Sequence, residues 1–216
     1  MTRTLLLDLD GTLVNSVPDL AAVLNRLMSA RGLAGFSHPE TALMVGDGVV
    51  RLVMRAFAAR GRTPDEGAVA EFSADYLLHS AVDTRLYPGV ADGLHALACD
   101  GWKLAVCTNK PERAARALLA ALGLAALFAA VGGGDSFPVR KPDPAHLLAT
   151  LKAAGGEPEC AVMAGDHVND VAAARGAGLP CIFAGWGYGP PAMAEGAAAV
   201  ARDFAELVTI ARRLLA

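Results

Sequence analysis

The sequence is poor in charged residues and has no basic segment, and both shortages limit the partners that it can bind. Charged residues make up 19% of its 216 positions, and the formal net charge is -3. No run of Lys and Arg occurs anywhere in the chain. Binding to nucleic acid or to an anionic membrane through overall charge requires a basic surface. We therefore expect neither as a partner, and a basic residue that matters must act locally.

Cysteine motifs and export signals are also missing. The four cysteines are far apart, with no Cys-x-x-Cys pair and no His at zinc-site spacing; they are Cys99, Cys107, Cys160 and Cys181. Reduced, mostly buried thiols of a cytosolic protein are the simplest explanation. The apolar run after Arg3 ends at Asp8, which is too short for a signal peptide. We expect a cytoplasmic protein.

One uncharged stretch, from Ala117 to Gly134, is long enough to suggest a membrane span. Gly123 and the glycines at 132–134 interrupt it. A buried helix, a turn and a short strand are a better interpretation. The composition, 54% hydrophobic, supports a sizeable core in one domain or in one domain with a large insertion.

The segment Leu5 to Thr12 is an apolar run that stops at two aspartates, Asp8 and Asp10. This pattern is typical of a buried parallel strand whose carboxyl end carries charge into a crevice. Alternating side chains can place both carboxylates on one side, where they could share a hard cation such as Mg²⁺, and Gly11 lets the backbone approach a ligand. A strand followed by an ordinary Asp-Gly turn is the alternative at this point.

The chain then becomes helical. Ser16 to Asp19 is typical of a capping box, followed by an amphipathic helix that ends at Arg31-Gly32. Two further helices are predicted, one over residues 49–60 and one that starts at Thr63-Pro64-Asp65-Glu66 and continues through Tyr76. No strand pattern interrupts them.

From Tyr87 onward helices and strands alternate, which predicts parallel strands joined by crossover helices. The predicted helices cover residues 90–98, 111–122, 145–154 and 169–177; the predicted strands cover 103–108, 130–132, 161–165 and 181–184. The first strand, residues 4–9, needs this later sheet as a partner. The predicted fold is therefore an α/β, Rossmann-like open parallel sheet, with residues 1–14 and 84–216 as core and 15–83 as an inserted all-helical cap.

Polar residues recur where the predicted strands end. Thr108-Asn109 follows the second strand and precedes a helix start, Lys141 is held outside a helix by Pro142, and Asp166 and Asp170 follow a later strand. Taken singly, these are ordinary helix caps and a surface lysine. Their joint occurrence at strand ends of one α/β chain favours a single site.

These four segments, Asp-x-Asp-Gly-Thr, Thr-Asn, Lys-Pro and Gly-Asp-x-x-x-Asp, resemble the haloacid dehalogenase superfamily of phosphohydrolases over essentially the whole chain. The helical insertion is similar to that superfamily's cap of the first type. Within the superfamily, Tyr-Pro-Gly-Val at 87–90, Cys-Thr-Asn-Lys-Pro at 107–111 and Lys-Pro-Asp-Pro at 141–144 look most like bacterial phosphoglycolate phosphatases.

The resemblance implies a role for each matched residue. Asp8 would be the nucleophile that forms an aspartyl phosphate, and Asp10 would be the acid/base. Thr108, Asn109 and Lys141 would bind the phosphoryl oxygens. The metal site would contain Mg²⁺ held by Asp8, the Asp10 carbonyl and Asp166, with Asp170 ligating or, as we favour, orienting Lys141 or a metal-bound water.

In the cap, the turn Gly46-Asp47-Gly48 would reach the cleft, and Arg51 or Arg55 would meet a substrate carboxylate. The alternative is that both arginines only solvate a helix face. Residues 15–83 contain no lysine, which argues against the phosphonate-cleaving relatives. Asp10 argues against the halide-removing ones.

The expected activity is hydrolysis of a small phosphorylated metabolite, most simply 2-phosphoglycolate to glycolate and phosphate. A phosphosugar phosphatase, a phosphosugar mutase and a non-catalytic binding module are the alternatives. His167 and Asn15 depart from the superfamily pattern, in which Ser and Asp are common; for His167 we favour a tolerated substitution over a partner of Asp166. The sequence leaves open a monomer or a homodimer, and whether Trp186, Tyr188 and Pro190-Pro191 form an interface.

Overall fold

A six-stranded parallel sheet lies at the centre of the computed structural model, which describes residues 2–216. The strands along this part of the chain are β1 (Thr4–Leu7), β2 (Val14–Asn15), β3 (Arg85–Leu86), β4 (Lys103–Cys107), β5 (Ala130–Gly132), β6 (Ala161–Gly165), β7 (Cys181–Ala184) and β8 (Ala199–Ala201). The sheet has the order β5-β4-β1-β6-β7-β8. Strand β1 is central, paired in parallel with β4 and β6.

Helices cover both faces of this sheet. The helices of the described chain are α1 (Val17–Ser29), α2 (His38–Ala42), α3 (Val49–Ala58), α4 (Ala68–His79), α5 (Val90–Cys99), α6 (Glu112–Ala121), α7 (Pro144–Ala153), α8 (Val168–Gly176) and α9 (Phe204–Leu214). Leu5 and Leu7 pack on one face with α5, α6 and α9, whereas Leu6 packs on the other with α7 and α8. The alternation of β1 side chains thus builds two apolar layers.

Helices α1, α3 and α4 share an apolar cluster, which includes Leu24, Met28, Phe57 and Phe72, all buried. The chain leaves the sheet at β2 and returns at β3, and these two short strands pair antiparallel, with Val14 opposite Leu86. The predicted α/β parallel sheet with an inserted helical cap is confirmed. The exact boundaries at residues 14–15 and 83–84 stay a prediction.

Some elements differ from the sequence-based prediction. Helix α4 begins at Ala68 rather than near Thr63, because the Asp65 carboxylate accepts the Gly67 N–H and pairs with Arg31, which fixes a turn there. Helix α2, the β2–β3 pair, β8 and α9 were not predicted. Helix α9 closes the sheet with Phe204 and Leu207, both fully buried.

The predicted capping box at the start of α1 is wrong. The Ser16 hydroxyl makes no cap hydrogen bond and instead donates to Asp10 Oδ1, 2.5 Å away. Asp19 accepts hydrogen bonds from the backbone N–H groups of Val82, Asp83 and Thr84. Ser16 thus joins the start of α1 to Asp10, and Asp19 joins α1 to residues 82–84. The first N–H of the helix, that of Val17, is accepted by Asn15 Oδ1 instead.

No helix within residues 2–216 is long and apolar enough to cross a membrane. Cys107 and Cys181 are buried, Cys160 is half-buried and Cys99 is exposed, and no disulfide joins cysteines within residues 2–216. The expectation of reduced thiols fits these positions, although Cys99 does not share the predicted burial.

Candidate active site

The carboxyl ends of the three central strands meet at one edge of the sheet. Because β1 lies between β4 and β6, Asp8, Thr108 and Asp166 follow neighbouring strands and come together there. A cavity of about 40 Å³ lies between this edge and the cap. It is lined by Asp8, Asp10, Leu20, Val45, Gly46, Gly48, Val49, Leu52, Tyr76, Thr108, Asn109 and Lys110.

Asp8 stands at the centre of the site beside Lys141. The Lys141 Nζ lies 3.0 Å from Asp8 Oδ1, but without hydrogen-bond geometry, so this buried oxygen has no hydrogen-bond partner among the described residues. Burial raises the pKa of Asp8 to about 6, although Lys141 opposes the rise. A buried carboxylate oxygen without a hydrogen bond is suited to attack an incoming electrophile or to bind a cation.

Asp8, Asp166 and Asp170 form a buried carboxylate cluster, with one oxygen from each within 4.8 Å of the others. Burial and the charges of Asp8 and Asp170 raise the pKa of Asp166 to about 8. Three buried carboxylates repel one another unless a cation or protons neutralise them. This donor set consists only of oxygen, and it fits a hard divalent ion such as Mg²⁺.

Within that cluster Asp170 has a second partner. Its Oδ1 accepts a 2.6 Å hydrogen bond from Lys141 Nζ, and its Oδ2 accepts the His167 N–H. Burial lowers the pKa of Lys141, but the charges of Asp170 and Asp8 outweigh it, so the pKa lies above its usual value. Asp170 therefore holds the Lys141 ammonium in place beside Asp8.

Asp10 has partners of a different kind. Both of its carboxylate oxygens accept hydrogen bonds from Lys110 Nζ at 2.9 Å, and Oδ1 also accepts the Ser16 hydroxyl. The carboxylate of Asp10 is not part of the Asp8–Asp166–Asp170 cluster. Sequence reasoning missed Lys110 as a site residue. Its place directly after Thr108-Asn109, at the end of a central strand, was the available signal.

Gly11 allows Asp166 to approach the loop after β1. A Cβ on Gly11 would lie 2.2 Å from Asp166 Oδ2, and the Gly11 φ of +87° is rarely accessible to other residues. The two oxygens of Asp166 accept the Thr12 hydroxyl and the Tyr188 N–H. Gly11 thus makes room for a site carboxylate, and Thr12 and Tyr188 are further site residues that sequence reasoning did not single out.

The loop that carries Tyr188 packs on the core. The Tyr188 hydroxyl accepts the Ser16 N–H at 2.8 Å, and Trp186 Nε1 donates to the Thr12 carbonyl. These contacts support the interpretation of residues 186–191 as a packed connection at the site.

Thr108 and Asn109 lie at the end of β4. The Thr108 hydroxyl accepts the Lys110 N–H, and its side chain lines the cavity. The Asn109 amide donates to the carbonyls of Gly46 and Lys141, at 2.9 and 3.0 Å. Asn109 therefore connects the cap turn to the Lys141 loop, and its donors are already engaged.

The turn at residues 46–48 reaches the cleft, and Gly48 is the N-cap residue directly before α3. Asn169 Nδ2 donates to Asp47 Oδ1 at 2.7 Å, which ties the turn to the core. Arg55 hydrogen-bonds to Asp47 and to the Met44 carbonyl, so its guanidinium braces the turn. Arg51 is exposed and does not line the cavity.

His167 begins α8. Its ring nitrogen accepts the Asn169 N–H, while its own N–H donates to Asp170, which gives a reciprocal cap. A Cβ on Gly46 would lie 2.7 Å from the His167 ring, so the cap turn packs directly against it. His167 is a helix cap that also supports the cap turn.

Comparison with known proteins agrees with this geometry. A family model described as haloacid dehalogenase-like hydrolase matches residues 2–178. A phosphoglycolate phosphatase from Rhodospirillum rubrum is 44% identical over 216 residues, covering 96% of this chain and 90% of that protein.

Solved structures are similar over nearly the full length. A predicted phosphoglycolate phosphatase from Haemophilus somnus 129pt gives a TM-score of 0.89 at 32% identity, covering 97% of each chain. A mutant of CbbY from Rhodobacter sphaeroides in complex with xylulose-(1,5)bisphosphate gives 0.80 at 26% identity, covering 96% of each chain. The resemblance inferred from the sequence motifs is confirmed: this chain belongs to the haloacid dehalogenase-like hydrolases, as one of their phosphatases.

Proposed function

We propose that this protein is a magnesium-dependent phosphatase that hydrolyses 2-phosphoglycolate to glycolate and phosphate through an aspartyl phosphate on Asp8. The observation that carries the proposal is the different surroundings of two aspartates at the end of one strand. Asp8 faces Lys141 and a carboxylate cluster, whereas Asp10 is held by Lys110 and Ser16. Two carboxylates in unlike environments can perform unlike chemical tasks.

In the first step an Asp8 oxygen attacks phosphorus, and the bond between phosphorus and the ester oxygen breaks. Asp10, which also lines the cavity, gives its proton to the departing alkoxide. In the second step Asp10 takes a proton from water as the water oxygen attacks the phosphorus, and the bond to Asp8 breaks. Phosphate leaves, and both carboxylates return to their starting states.

Charge neutralisation accompanies both steps. Lys141 stabilises negative charge on the phosphoryl oxygens next to Asp8, and the Thr108 hydroxyl lies on the same edge. Asp8, Asp166 and the Asp10 carbonyl would hold Mg²⁺, with Asp170 beside them. When bound, this ion neutralises the carboxylate cluster and the phosphate that approaches it.

The substrate assignment rests on two supports. Relatives that share two fifths or more of their residues with this chain carry the name phosphoglycolate phosphatase. The cavity, about 40 Å³ with the cap in this position, favours a small substrate over a large one. A phosphosugar phosphatase is the second candidate, favoured by the sugar bisphosphate in the CbbY structure. The cytoplasm is the proposed location, and a monomer or a homodimer is compatible with the site.

A substrate screen with and without Mg²⁺ tests the activity. The panel contains 2-phosphoglycolate, hexose phosphates, xylulose-1,5-bisphosphate, nucleotides and pyrophosphate. We expect release of phosphate, dependence on Mg²⁺, and the highest kcat/KM for phosphoglycolate. A preference for a sugar phosphate would favour the second candidate, and phosphate moved between sugar positions would indicate a mutase. No turnover of any compound would contradict the proposal and favour a binding module.

Asp8→Asn tests the nucleophile. We expect loss of at least about a thousandfold in kcat, because the amide cannot form the covalent intermediate. Thermal unfolding checks that the fold is retained. Parental protein that is quenched with acid during turnover should carry covalent phosphate that Asp8→Asn protein lacks. Hydrolysis by Asp8→Asn at the parental rate would contradict the assignment.

A further inference from the structure

The Lys110 ammonium lies between the core and the cap and is bound from both sides. Its Nζ donates to Oδ1 and Oδ2 of Asp10, each at 2.9 Å, and to the Tyr76 hydroxyl at 2.7 Å. The exposed fraction of the Lys110 side chain is 3%. An ammonium has three N–H donors, and these three oxygens account for all of them. The position of Lys110, and with it the Asp10 ion pair, therefore depends on Tyr76.

Tyr76 belongs to a different part of the chain from Asp10 and Lys110. It lies on α4, in the apolar cluster of the cap, and its ring stacks on Phe72 with a centroid distance of 5.9 Å. Burial raises the pKa of Tyr76 to about 12, so the hydroxyl stays protonated while it accepts from Lys110. Tyr76 also lines the cavity. The cap thus supplies a buried polar atom directly to the partner of the acid/base group.

The hydrogen bond from Lys110 to the Tyr76 hydroxyl fixes the direction of the ammonium. Two of the Lys110 protons point to Asp10 because the third has an acceptor on the opposite side. Removing that acceptor leaves a buried charged donor unsatisfied, and such a donor shifts or rotates until it finds another oxygen. The ion pair with Asp10 then becomes looser, and the carboxylate is no longer held in one position.

We propose that Tyr76 is a positioning residue for catalysis: its hydroxyl holds Lys110 on Asp10, so the acid/base group is completely assembled only when α4 lies against the core. The inference rests on the proposed function, in which Asp10 moves the proton. It adds a role for the cap beyond covering the substrate, because the position of the cap then controls how firmly Lys110 holds the Asp10 carboxylate. An open cap leaves Asp10 less well positioned to activate water.

Tyr76→Phe tests this role, since it keeps the ring that packs on Phe72 and removes only the hydroxyl. We expect kcat to fall roughly tenfold, the magnitude of one lost charge-assisted hydrogen bond, with KM changed less than about twofold. That split is expected because Asp10 acts in the chemical steps and not in substrate binding. A merely structural tyrosine would change the stability of the protein without this selective loss of kcat.

Phe72→Leu is the matched control. It disturbs the packing of the same helix face without removing the hydroxyl, so it should lower stability and leave kcat within about twofold of the parental value. A second control is the pair Lys110→Met and Lys110→Met/Tyr76→Phe. If the hydroxyl acts through Lys110, its removal should change kcat little once the ammonium is gone.

Three results separate the possible failures. If Tyr76→Phe has the parental kcat, or if its effect is as large in the Lys110→Met protein, the inference is wrong. If the Lys110 variants fail to fold, the kcat and KM values of Tyr76→Phe and Phe72→Leu decide alone. If Asp10→Asn itself keeps parental activity, the proposed function fails first.

Discussion

Asp166 is held where two other carboxylates surround it, and its surroundings make it sensitive to pH and to metal. Gly11, Thr12 and Tyr188 fix its position, and burial is the main reason that its pKa rises to about 8. In the unfolded chain the same group has a pKa near 3.8. Without metal, the folded protein therefore keeps a proton that the unfolded chain loses between these two values.

This difference predicts how stability depends on pH. The folded state binds more protons than the unfolded state between pH 3.8 and about 8, so the free energy of unfolding falls as pH rises through that window. Asp8, with a pKa raised to about 6, acts in the same direction up to that pH. In a chelator, we expect a loss of at least ~2 kcal/mol between pH 5 and pH 8.5, measured by urea denaturation.

Two comparisons isolate Asp166 in that experiment. Burial lowers the pKa of His146 and His167, which changes stability in the opposite sense below about pH 6.5. Subtracting the free energy of unfolding of Asp166→Asn from that of the parental protein at each pH removes the contribution of the histidines. The variant should lose most of the decline, and Mg²⁺ should restore the parental protein at pH 8.5 while having little effect on Asp166→Asn. A metal-free protein with constant stability over the window would contradict the raised pKa.

At the residue scale the sequence predicted the three aspartates of the cluster and the Asp170–Lys141 pair, but not the partners of Asp10 and Asp166. Asp8, Asp166 and Lys141 were predictable because each directly follows a strand or precedes a helix-blocking proline. Lys110 was not, since its meaning depends on Tyr76, which is distant in sequence and reaches it only in the folded cap. Arg51 or Arg55 was offered as a partner for a substrate carboxylate, with a solvated helix face as the alternative; Arg55 instead pairs with Asp47 in the turn before α3, eight residues earlier, which the sequence alone does not reveal.

Asp19 on α1 joins the two chain segments that connect the cap to the core. Its oxygens accept hydrogen bonds from three consecutive backbone N–H groups at 82–84 and from the Thr84 hydroxyl. Its exposed fraction is 3%. The loop that returns to β3 therefore has its donors satisfied by a side chain of the first cap helix.

Asp19→Ala should destabilise the protein by about 3 kcal/mol, because it leaves several buried donors without an acceptor. Urea denaturation measures the change. Asp92→Ala is the matched control: Asp92 also lies in the first turn of a helix, but it is exposed. The control should change the free energy of unfolding by less than about 0.5 kcal/mol. Equal effects of the two substitutions would show that Asp19 acts only through the helix terminus.

At the element scale, apolar periodicity predicted the long helices and the central strands closely, because their burial produces the pattern. Strands β5, β6 and β7 have the predicted bounds. The β2–β3 pair has two residues in each strand and carries no period, and α2 has five. The turn before α4 follows from the Arg31–Asp65 ion pair, which is a tertiary contact. Apolar periodicity therefore does not predict very short elements, nor element ends that are set by tertiary contacts.

On the scale of the whole molecule, the cap meets the core at the site itself. The 46–48 turn is held by Asn109 and Asn169, and Tyr76 is held by Lys110. Asn109 directly follows Thr108, Asn169 directly precedes Asp170, and Lys110 hydrogen-bonds to Asp10. The sequence indicated that an insertion would cover the first strand, but it did not indicate that the core's own polar residues would bind the cap.

The Asp47 contacts predict that the cap turn controls catalysis. Asp47→Ala removes the acceptor for both Asn169 and Arg55, so the turn should leave the cleft more often. We expect kcat/KM for the preferred substrate to fall roughly tenfold and hydrogen exchange of residues 44–48 to increase. Asp65→Ala is the control, because Asp65 also pairs with an arginine of the cap, Arg31, but its hydrogen bonds go to Arg31 and Gly67 and not to the core. Its kinetics should be parental. If Asp47→Ala and Asp65→Ala have the same kcat/KM and the same exchange at 44–48, the turn has no such control over catalysis.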